Sequence, residues 1–166
     1  MTVGDWVASG VHFSCNRCGA CCTGPVGEVT CSSAEIAAMA RVVGVLPFEF
    51  RQRYVVALES GEGLRQIERE PGVFDCVFLS RDTHGARCTV HEARPTQCRT
   101  WPFWPAHLRN AEAYAKLATH CVGVRRGLEG EGRLHAAVEI EAAARATPAG
   151  LTSHHEVDED GGRGFS

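Results

Sequence analysis

With 166 residues, 44% of them hydrophobic, the chain suits one domain with its own core, and wholesale disorder is excluded. Formal charge is −3 at pH 7, yet residues 1–146 carry sixteen basic and sixteen acidic side chains; the deficit falls after Thr147, where Glu156, Asp158, Glu159 and Asp160 face only Arg163. A neutral body excludes a dedicated nucleic-acid binder, and no apolar run approaches the ~20 residues of a membrane span.

The lead-in MTVGDWVASGVHF has no basic stretch followed by an apolar one, so no secretory signal is read and the expected location is cytoplasmic. Its Trp6, Val7, Val11 and Phe13 are available to pack. Residues 15–27, rich in Cys and Gly, should be loop. Ser32-Ser33-Ala34-Glu35 has the spacing of a capping box, and Ile36, Met39, Ala40 and Val43 follow at helical spacing to an end near Gly44. Pro47 opens a second helix with Phe48, Phe50, Tyr54 and Leu58 as its apolar residues, closed by Gly61 and Gly63. A strand is predicted over 64–70. Residues 76–79 and 87–90 flank a polar turn around Asp82 and Gly85 and read as a hairpin. HEARPTQCRTWPFWP holds three prolines and forbids a long regular element. Helices are predicted over 106–120 and 133–145. The fold class is therefore α+β: a small, loop-rich, metal-stabilised single domain over 1–146, with a short hairpin and two to four helices. Residues 147–166 read as a disordered acidic tail, with His154-His155 part of its polar composition.

Nine cysteines are the unusual feature. In a reducing compartment, clustered thiols are metal ligands or redox groups, and an odd count cannot pair fully within one chain. FSCNRCGACCTG contains Cys15-x2-Cys18-x2-Cys21-Cys22. A C-x2-C turn lets two thiolates converge on one metal, and Gly19 relieves crowding as the backbone folds around it. Adjacent side chains diverge, so Cys21 and Cys22 either serve two neighbouring sites or one of them does something else. Cys76 and Cys88 sit on the predicted hairpin, Cys98 follows its turn, and Cys121 ends a helix. Cys31, beside the capping box, reads as a small buried hydrophobe. Setting it aside leaves eight thiols, enough for two four-thiolate sites.

Four thiolates on a divalent ion leave a net charge of −2, costly unless compensated. Arg17, Arg94 and Arg99 lie near these cysteines and could donate to sulfur, a cofactor-binding role; the alternative is that Arg94 and Arg99 cap carbonyls of the proline-broken loop. Trp101, Phe103 and Trp104 could shield a site or simply fill the core. Glu92 beside His91 reads as a solvated carboxylate. No phosphate loop, dinucleotide fingerprint or HExxH is present, and no catalytic residue is assigned.

The ordered blocks FxCxRCGxCC, CxFL, GxRCxVHExRPxQCRxWPFWP and a late Cys-Val-Gly, from about Phe13 to Gly123, resemble the YkgJ-type cysteine-cluster family, the CxxCxxCC zinc- or iron-chelating domain. The resemblance implies that Cys15, Cys18, Cys21, Cys22, Cys76, Cys88, Cys98 and Cys121 are the metal ligands, and it gives no role to Cys31. His91 stands where the family pattern has tyrosine. A flagellin lysine N-methylase carries a related cluster, which makes a cluster-dependent protein-modifying enzyme one alternative. Three cysteines at x2 spacing with a remote fourth favour an iron–sulfur (4Fe–4S) cluster as cofactor, with structural or exchangeable zinc as the other alternative. The expected partner is this metal ion or cluster, with no nucleic acid and no membrane.

Overall fold

The computed structural model describes residues 4–83 and 85–149. The tail predicted at 147–166, including His154-His155, lies outside the described residues from position 150 onward.

Two apolar clusters organise the fold. The first joins the two ends of the described chain: Val7, Val11 and Phe13 pack with Phe103, Leu108, Tyr114, Leu117, Val124 and Ile140. The second is built from the middle: Ile36, Met39, Ala40, Phe50, Leu64, Phe78 and Val90, with Cys31 among them. Fully burying a side chain such as Ile36, Met39 or Phe50 contributes about 2 kcal/mol each.

Strand β1 (Val11–Phe13) leads into the cysteine loop, which reaches the two-residue strand β2 (Thr23–Gly24). Helix α1 (Ser33–Val43) starts as its sequence predicts. Ser32 Oγ accepts from Glu35 N–H at 3.3 Å, and Glu35 Oε2 accepts from Ser32 N–H at 2.8 Å. It ends at Gly44, whose φ of +79° lets its N–H reach back to Ala40 O. Helix α2 (Pro47–Tyr54) buries Phe50 against Phe78 and Tyr54, with ring centroids 5.5 and 5.0 Å away.

The second helix is shorter than predicted. Val55-Val56 are β-branched and leave the helix for a hairpin, β3 (Val55–Leu58) and β4 (Gly61–Leu64), so Leu58 and Gly63 belong to strands. The strand expected over 64–70 is β5 (Gln66–Glu70), paired with β6 (Val73–Cys76), which also pairs with β2. Cys76 therefore closes β6 instead of opening the predicted hairpin. That hairpin is β7 (Leu79–Asp82) with β8 (Gly85–Cys88), Leu79 opposite Cys88.

Helix α3 (Thr96–Thr100) follows, one short turn within the proline-rich stretch. The long helix predicted over 106–120 is broken. Asn110 caps α4 (Ala111–Lys116) by accepting from Ala113 N–H at 2.7 Å, and a tighter turn, Leu117–Thr119, ends it. Helix α5 (Val122–Leu128) has no counterpart in the sequence prediction. Residues 133–145 split into β9 (Arg133–His135), antiparallel to β1, and α6 (Ala137–Ala146). The described residues thus hold six α-helices where the sequence predicts two to four, because α3 and α5 are too short to show a periodic apolar face. The mixed α+β class stands. No helix among the described residues is long and apolar enough to cross a membrane.

Candidate metal centre

The cysteine loop is seated on two sides. Gly19 has φ +75° and lies against the β7–β8 hairpin, where a Cβ would meet Ala86 Cβ at 2.8 Å and Leu79 Cδ1 at 2.9 Å. On the other side α5 lies flat on the end of β1. A Cβ on Gly123 would come within 2.5 Å of Ser14 O, and one on Gly127 within 1.9 Å of His12 O. Glycines four apart give α5 a face with no side chains, and the backbone of β1 occupies it. Cys121, the residue before α5, is thereby carried to the loop that starts at Cys15.

Cys15, Cys18, Cys21 and Cys121 line one cavity of about 30 Å³, with Phe13, Trp101 and His120. The Trp101 indole N–H donates to the Cys121 sulfur. Burial pushes the Cys121 thiol up, and the Cys18 thiol adds to this, while hydrogen bonds from Val124, Trp101 and Gly123 oppose it. Cys15, Cys18 and Cys21 are exposed, and Cys121 is half-buried. Arg17, within this loop, holds φ +55°, a left-handed conformation costing a residue with a Cβ about 1 kcal/mol or more.

The remaining thiols form a second group, which Cys21 also borders. Cys22, Cys76, Cys88 and Cys98 are all half-buried. Burial pushes Cys98 up, and Cys76, Cys21 and Cys88 push it further. Burial raises Cys76 to about 11, with Cys88 and Cys21 adding to it against a backbone hydrogen bond from Phe78. The sulfurs of Cys21 and Cys22 are 3.8 Å apart. That hydrogen bond raises Cys22, aided by burial and by the Cys21, Cys76 and Cys98 thiols. The same bond, together with the Arg94 guanidinium, draws Cys21 down against desolvation. Arg94 also draws Cys88 and Cys98 downward, against the larger effect of burial. Among the described residues, no three Cys, His, Asp or Glu side chains converge closely enough to grip an ion as they stand. The donor chemistry fits a soft metal all the same: eight thiols in two groups of four, each sulfur able to swing about one Cα–Cβ bond.

The three arginines are placed differently. Arg94 is half-buried with its charge beside Cys21, Cys88 and Cys98. Arg17 is exposed; burial first, then Arg94, then Arg17 lower the His91 imidazole, whose Nε2 is buried without a hydrogen-bond partner. Arg99 turns away from sulfur: it donates to Arg94 O at 2.6 Å and to Thr96 Oγ1 at 2.7 Å, and it pairs with Glu35 at 3.8 Å. Of the aromatics, Trp101 borders the cavity, while Phe103 and Trp104 are buried in the core. Cys31 is buried in the middle cluster, with its S–H on Glu62 O at 3.7 Å; desolvation first, then Glu62 and Glu35, pushes it up to about 12.

Sequence reasoning missed Gln97 and the second use of Glu35. Gln97 is 1% exposed; its Oε1 accepts from Thr30 N–H at 3.0 Å, and its Nε2 donates to Glu28 O at 2.8 Å. Glu35 Oε1 accepts from Thr96 N–H and Thr96 Oγ1, both at 2.6 Å. Between them they fix both residues that precede Cys98. A glutamine beside a cysteine carries no sequence signal for this. His120, on the cavity wall, had one: it adjoins Cys121.

Residues 14–122 match the model of a cysteine family, CxxCxxCC, described as "Putative zinc- or iron-chelating domain". The chain belongs to the CxxCxxCC family. All eight cysteines of the two groups lie within the matched residues of this CxxCxxCC domain, and the description supports a metal ion, zinc or iron, as its partner. No solved structure matches the chain.

Proposed function

We propose that the body of the chain, residues 1–146, is a cytoplasmic metal-binding domain with two four-thiolate centres side by side. Cys15, Cys18, Cys21 and Cys121 form the outer centre, and Cys22, Cys76, Cys88 and Cys98 the inner one. The observation that carries this reading is the Cys21–Cys22 pair. Cys21 lines the cavity with Cys15, Cys18 and Cys121 and also acts on Cys76, Cys88 and Cys98, while Cys22, its sulfur 3.8 Å away, is raised by Cys21 and by burial first and then by Cys76 and Cys98. The pair thus stands at the junction of the two groups, which supports one ligand for each. Arg94 offsets the thiolate charge of the inner centre, and Trp101 donates to a sulfur of the outer one.

A 4Fe–4S cluster is the group we assign. Three cysteines at x2 spacing with Cys121 as a remote fourth form the wrap such a cluster uses, and bound it would supply one-electron redox chemistry. Zinc is the second reading, favoured by the small cavity of about 30 Å³, which has room for an ion. Anaerobic purification with adequate iron, followed by metal analysis and an optical spectrum, tests both. Iron with acid-labile sulfide and visible charge-transfer bands is expected. Near-stoichiometric zinc in colourless protein overturns the cluster, and protein with no bound metal overturns the two centres.

A further inference from the structure

We propose that the two centres differ in kind: the inner one is a permanent part of the fold, and the outer one is an exchange site that releases a soft divalent ion to an incoming chelating ligand. This rests on the two-centre reading above in its zinc form, the second of the two readings given there. The difference lies in what holds the ligands. Cys98 sits in α3, and the residue before it is buried and bonded on both amide ends to the 28–30 segment. Thr96, one further back, is held through its N–H and hydroxyl by Glu35. Cys76 and Cys88 end the paired strands β6 and β8 and pack against the middle apolar cluster. Moving any of these sulfurs outward disturbs paired backbone or buried hydrogen bonds.

Cys15 and Cys18 lie instead on a loop outside helix and strand, and both are exposed. The loop is held by Cys22 N–H to Gly19 O at 2.9 Å, and Arg17 N–H approaches Cys15 Sγ at 3.4 Å. Arg17 in the left-handed region gives this segment a conformation that relaxes when the loop opens. A ligand arriving from solvent meets these two sulfurs without displacing any core side chain. The step is ligand exchange without redox: each Cys–metal bond that breaks is replaced by a bond from the acceptor, the ion keeps its charge, and the released thiolate takes a proton from solvent.

Cobalt tests this, because its thiolate bands count four-sulfur sites. Reduced, metal-free full-length protein titrated with Co²⁺ under argon should take up two equivalents. Excess EDTA should then bleach the bands in two equal phases separated by roughly tenfold or more in rate, the scale on which supporting contacts alter metal sites. Cys15→Ser and Cys18→Ser should each remove the fast phase and one equivalent while leaving the slow phase and the melting curve of the metal-free protein intact. Cys88→Ser should remove the slow phase. Two equivalents leaving at a single rate, or a slow phase lost in Cys15→Ser, overturns the exchange assignment. Uptake of one equivalent or none by the wild-type chain overturns the two-centre reading instead.

Discussion

Gly127 lies so close to His12 that a Cβ on it would stand 1.9 Å from the His12 carbonyl oxygen. The obstacle is backbone in a paired strand, so neither partner can step aside cheaply. This contact, with that of Gly123 on Ser14, sets where α5 begins and hence where Cys121 sits relative to Cys15.

Gly127→Ala should therefore lift α5 from β1. We expect a loss of about 1–3 kcal/mol in urea unfolding, the range for overpacking, together with loss of the metal assigned to Cys15, Cys18, Cys21 and Cys121. Wild-type stability and metal content in this variant would contradict the placement of α5.

Gln97→Ala strips partners from Thr30 N–H and Glu28 O in a partly buried setting. A hydrogen bond contributes about 0.5–1.5 kcal/mol net, so a loss of about 1–3 kcal/mol is expected by chemical denaturation. A shift under about 0.5 kcal/mol, the ordinary range for surface changes, would mean that the network is not formed.

Glu35 gives the fold an acid limb. Burial pushes its carboxyl up, but hydrogen bonds from Ser32 and Thr96 win, and the net shift is downward from 4.5. A depressed carboxyl stabilises the fold fully above its unfolded value, and that contribution fades as pH falls through the folded value. Stability should thus drop below about pH 4.5 more steeply in wild type than in Glu35→Gln, which at pH 7 should be about 1 kcal/mol weaker from the lost cap. Parallel acid limbs in the two proteins would refute this.

Much of the middle of the chain is legible in its residues, for local reasons. The Ser32–Glu35 box, Gly44 and Pro47 each act within one turn, and each lies where its chemistry places it. The reading fails where tertiary contact overrides local pattern. Val55-Val56 follow a helical stretch but pair with Gly63 and Leu64, and α5 exists because two glycines meet a strand more than a hundred residues earlier. The cysteines are visible as a set in the sequence, but their division into two groups is not. It depends on Cys76 ending one sheet and Cys88 another, and on α5 returning Cys121 to the loop.

Removal of metal under reducing conditions should lower stability by several kcal/mol, in the manner of structural thiolate sites. Cys31→Ser should bind as much metal as wild type, since Cys31 sits in the apolar cluster on Glu62 O. A melting curve unchanged after verified metal loss would contradict the first expectation, and reduced metal in Cys31→Ser the second.

Arg94→Ala should weaken metal binding by about tenfold or more, with partial recovery in Arg94→Lys, because charge beside Cys21, Cys88 and Cys98 is what it supplies. Competition with a chromogenic chelator measures this, and equal affinity in wild type and Arg94→Ala would remove the charge-balancing role.

The joining of the first and last described segments in one apolar cluster also sets an order of events in time. The middle cluster draws on residues 31–90, whose hairpins and helices contact near neighbours. The other needs β1 to find β9, as the His12 imidazole does when it meets Gly132 O across 120 positions. Closing so long a loop is entropically costly and slow compared with local pairing. The middle should gain hydrogen-exchange protection first and the terminal segments later. Cys15 and Cys18 would then meet Cys121 only at the final step, so a newly made chain presents its inner thiols as a group before its outer ones.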